Sequence, residues 1–205
     1  MLSSAVRFFH SAVAALRTAP RAFRVFFLCA VLMGASGAAW EANYYKWTTT
    51  SGTWSDYSKW KYSTIGISWS SISSSSADYP GDSSNTSATV YINTDDAGGS
   101  ITVYVTDDVT IQNLYIESSS TTSVTLVLSE GVTLTVSGTL YLGNKDSNSD
   151  TVNLTITGAG TVSANTITYK NSATDSTVSI EDGATLTSYS FNNEKSADIS
   201  VTGDG

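Results

Sequence analysis

A unit of about two dozen residues recurs through the second half of this 205-residue chain, and that period constrains the fold more than any other feature. Val105-Thr106-Asp107-Asp108-Val109-Thr110-Ile111 is matched by Leu128-Ser129-Glu130-Gly131-Val132-Thr133-Leu134. It is matched again by Ile156-Thr157-Gly158-Ala159-Gly160-Thr161-Val162 and by Ile180-Glu181-Asp182-Gly183-Ala184-Thr185-Leu186. A fifth copy opens at Val201-Thr202-Gly203-Asp204-Gly205. Counted from the last apolar residue of each copy, the steps are 23, 28 and 24 residues. Each unit reads as a strand, a tight acidic or glycine turn, a second strand, and a third strand carrying a tyrosine. Thr139-Leu140-Tyr141-Leu142 and Thr166-Ile167-Thr168-Tyr169 are examples of the third. Val, Ile, Leu, Thr and Tyr alternate with Ser, Thr and Asn, the period-2 pattern of a pleated strand. No stretch after Ile101 shows a 3.6-residue period, and Ser and Thr hydroxyls compete for the backbone groups that a helix needs. Almost no helix is expected.

A short repeated unit buries its apolar face by stacking on its neighbours, which makes a solenoid. This unit is the size of one rung of a parallel β-helix, so the expected fold is all-β, with about four rungs over residues 94–205. Short strands and frequent turns also suit an antiparallel sandwich. The in-register spacing of the units favours the solenoid. Asn144, Asn171 and Asn193 follow the third strand in successive units. They form either an asparagine ladder at one corner or ordinary turn positions.

Residues 1–39 differ in kind. They hold all four arginines, the one histidine (His10), the one cysteine (Cys29) and five of six phenylalanines. Arg7, Arg17, Arg21 and Arg24 precede an apolar run from Val25 to Met33 and then Gly34-Ala35-Ser36-Gly37-Ala38-Ala39, with no acid before Glu41. Charge, apolar stretch and small residues in that order make a signal peptide, cleaved after Ala38 or Ala39. The run is about half of the ~20 residues a membrane span needs. An arginine- and serine-rich organellar presequence is the rival reading. Export through the Sec pathway would place the protein outside the cell or on its surface.

From Trp40 onward there are 18 acids against 6 lysines, a net charge of about −12, and Ser plus Thr supply 59 of 166 residues. That part lacks His, Cys and Arg. It therefore cannot build a Ser–His–Asp or Cys–His nucleophile system, a thiolate zinc site or a guanidinium clamp. Nor can it form disulfides. Its acidity opposes nucleic-acid binding, which relies on lysine and arginine to displace counterions. No cofactor is implied. Residues 40–93 hold all five tryptophans (Trp40, Trp47, Trp54, Trp60, Trp69) and Tyr44, Tyr45, Tyr57, Tyr62, Tyr79 and Tyr91. An open rung exposes unpaired strand edges and bare apolar surface, and this aromatic-rich segment is suited to cap it.

Gly52-Thr53-Trp54-Ser55-Asp56-Tyr57-Ser58-Lys59-Trp60, then Tyr79-Pro80-Gly81-Asp82 and Thr89-Val90-Tyr91-Ile92, lead into Ile101–Val105, Asp108-Val109-Thr110-Ile111 and Leu114-Tyr115-Ile116. This order resembles the start of passenger domains in bacterial autotransporters and autotransporter-like surface proteins, over about Tyr45 to Leu142 and, through the repeat, beyond. The long basic leader is similar to their extended signal peptides. The resemblance implies a β-helical adhesin or stalk at the cell surface, with surface glycans or proteins as partners. It also implies an outer-membrane translocator if the gene is longer. Members run to many hundreds of residues, whereas this chain stops within a unit, so the resemblance implies either a fragment or another export route.

Three chemistries compete at particular residues. Trp54 and Trp60, six residues apart around a polar turn, are the candidate glycan-stacking rings of a carbohydrate-binding module; the alternative is that they plug the first rung. Asp146, Asn148 and Asp150 have the 1, 3, 5 spacing of a calcium loop, but Thr151 and Thr157 stand where the turn glycine and the closing glutamate belong. A solvated inter-rung loop is the favoured reading of these residues. The pairs Asp95-Asp96, Asp107-Asp108 and Glu181-Asp182 invite a glycosidase reading. Strand neighbours face opposite ways, so only carboxylates on different rungs could flank one bond. β-Helix polysaccharide lyases use an arginine or lysine base near an acidic calcium cluster, and here there is no arginine after the leader. The expectation is a non-catalytic chain without catalytic or metal residues, its paired acids serving as rung corners.

Overall fold

A computed structural model describes residues 43–72, 79–82, 85–143, 152–170, 176–193 and 199–203. Residues 1–39, Trp40, Asn144, Asn171 and the calcium candidates Asp146, Asn148 and Asp150 lie outside the described residues.

The alternating segments form strands β1 (Tyr44–Trp47), β2 (Ser51–Thr53), β3 (Trp60–Ser63), β4 (Ser70–Ser71), β5 (Thr89–Asn93), β6 (Ile101–Val105), β7 (Val109–Ile111) and β8 (Asn113–Glu117). They continue as β9 (Val124–Leu128), β10 (Thr133–Leu142), β11 (Asn153–Gly158), β12 (Thr161–Tyr169), β13 (Ser176–Ile180), β14 (Thr185–Asn193) and β15 (Ile199–Gly203). Among the described residues the helical content is a single-turn helix, α1 (Thr94–Ala97), and a 3-10 turn over Tyr57–Lys59. One sheet runs β14-β12-β10-β8-β5-β1-β3-β4, with β7 also on β10, and the other runs β15-β13-β11-β9-β6-β2. From β5 to β15 every pairing is parallel, between equivalent strands of consecutive units. The fold is a parallel β-solenoid of about four turns.

Inward residues stack in columns. Val103, Leu126, Ile156 and Ile180 lie one above another, as do Val90, Leu114, Leu140 and Ile167, and Val109, Leu134, Val162 and Leu186. Most are inaccessible to solvent. Burying a Val, Leu or Ile side chain stabilises by about 1.5–3 kcal/mol, so these columns carry the stability that a chain without disulfides must find in packing.

Two details of register differ from the sequence alignment of the units. Ile156 does stack on Ile180, but its partner on β9 is Leu126; Leu128 faces Gly158. The copies matched by their turns are therefore offset by two residues. Leu134 likewise pairs with Val109, not Ile111. The cause is a longer turn between β9 and β10, Ser129–Val132, against Ala159-Gly160 between β11 and β12. Second, the expected second and third strands are one strand with a bend. In β10 and β12 the register shifts between Val136 and Thr139, where Ser137-Gly138 face Asn165 alone, a β-bulge. Gly138 is needed at this bend because a Cβ there would sit 2.6 Å from the Gln112 carbonyl oxygen.

The first rung begins inside the aromatic segment. β1 and β2 already pair in parallel with β5 and β6. β3 then folds back antiparallel on β1 with Trp47 opposite Trp60, and β4 on β3, which extends the larger sheet past the first rung. Trp47, Trp54 and Trp60 are buried together. The Trp60 ring lies edge-on to both others at centroid distances of 4.8 and 4.9 Å. Their N–H groups are satisfied by main chain: Trp54 Nε1 donates to the Pro80 oxygen at 2.7 Å, Trp60 Nε1 to the Trp54 oxygen at 2.7 Å, and Trp47 Nε1 to the Thr49 oxygen. Gly81, at φ +87°, packs against β7, where a Cβ would lie 2.4 Å from Val109 Cγ1. The tryptophans and the Pro-Gly-Asp turn thus form one plug. At the other end β14 is largely exposed, with Phe191 half open to solvent.

Candidate functional site

Trp54 and Trp60 stand at the centre of the plug, at 1% exposure each, so neither offers a ring face to a sugar in solution. Packing in the plug, not glycan stacking, accounts for the position of both rings.

The carboxylate pairs sit at rung corners. Asp96 accepts from Lys46 Nζ at 2.6 Å, and Asp108 Oδ1 from the Thr133 amide at 2.8 Å. Asp182, at φ +54°, accepts from Thr157 Oγ1 at 2.7 Å. Each of these bonds joins one rung to the next. In the cap, Ser58 holds the Asp56 carboxyl below its ordinary pKa by donating from both hydroxyl and amide to Oδ1, at 2.6 and 3.0 Å. Among the described residues no three His, Cys, Asp or Glu side chains are grouped to hold a metal ion, and no helix is long and apolar enough to cross a membrane.

The arrangement that sequence reading missed lies on the outer face of the larger sheet. Tyr91, Tyr115 and Tyr141 occupy the same register on β5, β8 and β10. Their rings stack nearly parallel, at 4.8 Å and 14° and then at 4.3 Å and 15°. Trp69 meets Tyr91 edge-on at 6.1 Å, with Lys46 Nζ 5.1 Å from the Trp69 ring centroid. At the other end Lys170 Nζ lies 4.9 Å from the Tyr141 ring centroid. Strand spacing in a sheet is about 4.8 Å, which is why in-register tyrosines can stack at all. A signal was present: an apolar-Tyr-apolar triplet recurs as Val90-Tyr91-Ile92, Leu114-Tyr115-Ile116 and Leu140-Tyr141-Leu142. Because each inner ring face meets another ring and the ends are closed by Trp69 and Lys170, the row presents phenol edges outward. It locks rungs together more than it offers a stacking platform. The row ends because the next strand puts Thr168 opposite Tyr141, while Tyr169 turns inward and donates from its hydroxyl to Ser176 Oγ at 2.6 Å.

Burial raises the Tyr115 phenol pKa well above its usual value, and the neighbouring Tyr141, Tyr91 and Glu117 add to the rise. The folded state thus favours the neutral phenol, and the stability this gives is fully present below the unfolded pKa near 10. It is lost as pH rises above that value, because the unfolded chain ionises first. Denaturation midpoints measured at pH 8 and pH 11 are expected to fall with pH, and less steeply in Tyr115→Phe, which keeps the stacked ring. An absorbance titration at 295 nm in which every phenol ionises near pH 10 in the folded state would contradict this.

Together the fold and these surfaces define a class: a parallel β-solenoid with a tryptophan-plugged first rung and hydroxyl-rich outer faces. No protein-family model, curated protein or solved structure matches the chain.

Proposed function

We propose that the chain is a non-catalytic structural segment of an exported surface protein, an adhesin-type passenger whose capped solenoid holds its outer faces away from the cell. The observation that carries this reading is the capped stack itself. In-register rungs build a stiff body from backbone pairing and narrow apolar columns, and one acid of each pair that could have suggested catalysis (Asp96, Asp108 and Asp182) is engaged in a rung-to-rung bond. The leader-like residues 1–39 and the resemblance of Trp54, Trp60 and the Pro80-Gly81-Asp82 turn to passenger starts support the location. Surface glycans or proteins are the partners this reading implies, with an outer-membrane translocator if the gene extends further. The acidity of the chain after the leader is a reason to expect no nucleic acid among them.

The location is testable on whole producing cells. With an antibody to the solenoid, intact cells should be labelled, and external protease should remove the label. A chain reached only after lysis would overturn the reading.

A further inference from the structure

We propose that the outer groove at the bend of β10, β12 and β14 binds a neutral, linear oligosaccharide laid along the solenoid axis, with one sugar ring stacked on Tyr189. The groove encloses about 480 Å³, within the range of small-ligand sites. Thr135, Ser163 and Thr187 line it in register on three successive strands, and Ser137, Asn165 and Tyr189 line it at the bend. Its regularity follows from the fold, since the same bend is repeated rung after rung.

Three properties identify the ligand. The first is available hydrogen-bonding capacity. Elsewhere on the sheets, polar side chains of adjacent rungs bond each other: Thr166 with Ser190 at 3.0 Å, Thr177 with Asn153 at 3.1 Å, Asn93 with Glu117 at 2.6 Å. In the groove, whose floor includes Val136 and Ala164, the Ser137 hydroxyl donates to the Ile111 oxygen at 3.0 Å and the Ser188 hydroxyl to the Ser190 oxygen at 2.6 Å. The side chains of Thr135, Ser163, Asn165, Thr187 and Tyr189 have no hydrogen-bond partner among the described residues. Hydroxyls both donate and accept, and an amide does so on two adjacent atoms, which matches the vicinal hydroxyls of a sugar. The second property is an open ring. Tyr189, on β14 at the last described edge of the larger sheet, is 93% exposed. The C–H face of a pyranose packs on such a ring while its hydroxyl rim stays wet. The third property is charge. None of the lining residues is ionisable at neutral pH, and the chain after the leader is strongly acidic, which disfavours an acidic polymer. The repeat of about 4.8 Å between strands is close to the length of one pyranose along its chain, so successive rungs meet successive sugars.

This inference deepens the adhesin reading but is measured on purified protein, so cellular location does not enter its outcome. Calorimetric titration of the full chain with β-1,4-linked hexamers of glucose, mannose and galactose is expected to show binding of at least one of them. A hexamer of galacturonic acid should bind at least tenfold more weakly. Tyr189→Ala and Asn165→Ala, both at exposed positions away from the core, should each weaken the neutral hexamer tenfold or more, and Ser163→Phe should abolish binding by filling the groove. The proposal is overturned if no neutral hexamer binds, if the acidic hexamer binds as well or better, or if Tyr189→Ala binds like the parent chain. Loss of glycan binding beside intact surface labelling would remove the groove and leave the surface reading standing.

Discussion

Gly158→Ala is expected to destabilise the solenoid by about 3 kcal/mol or more, whereas Gly131→Ala should lower stability by only ~1–2 kcal/mol. Both glycines hold positive φ, +92° and +75°, so both substitutions strain the backbone. They differ in surroundings. A Cβ on Gly131 would meet nothing within 4 Å, while one on Gly158 would lie 2.1 Å from the Leu128 carbonyl oxygen. That oxygen belongs to β9, which is paired to β11 over five residues, so relief requires the two strands to separate. Gly160 sits under the same turn, and a Cβ there would stand 2.7 and 2.8 Å from the Val132 and Ser129 oxygens, so no slack is available nearby. Chemical denaturation followed by tryptophan emission measures both variants. Equal losses would show that the rungs do not approach this closely.

The double substitution Trp54→Ala, Trp60→Ala is expected to leave the chain unfolded. Truncating a buried tryptophan costs about 3–5 kcal/mol. The two are in contact, so the losses will not simply add, but even one and a half times that cost approaches the ~5–15 kcal/mol total of a typical domain. The removal also strands the main-chain oxygens of Pro80 and Trp54, which accept from the lost N–H groups, and uncovers the first rung. Loss of near-ultraviolet circular dichroism and of cooperative melting would be the signature. A double variant that melts cooperatively near the parent temperature would contradict the plug and reopen a ligand role for these indoles.

Much of this was readable from the residues because a solenoid uses local information repeatedly. Period-2 alternation decides which side chains face inward, and the recurring unit decides that like strands stack. What misled the alignment was turn length. Leu128 and Ile156 look equivalent from their turns, yet the extra residues of Ser129–Val132 put Leu128 opposite Gly158. Gly158 then reads as a turn glycine in sequence but acts as the place where one rung's backbone presses on another. A similar shift separates Tyr141 from Tyr169. One position apart in register, the first faces solvent in a row of rings and the second is buried.

By itself the sequence determined the class of fold: alternation, repeat length and the absence of cysteine after Cys29 leave stacked, packing-stabilised strands as the solution. It also marked the aromatic segment as an end closure. Only the tertiary structure decided which tyrosines stack, which tryptophans are unreachable and where a groove with unpaired hydroxyls remains. Those outcomes depend on register between residues more than twenty positions apart, and a shift of one residue in a strand turns every side chain to the opposite face.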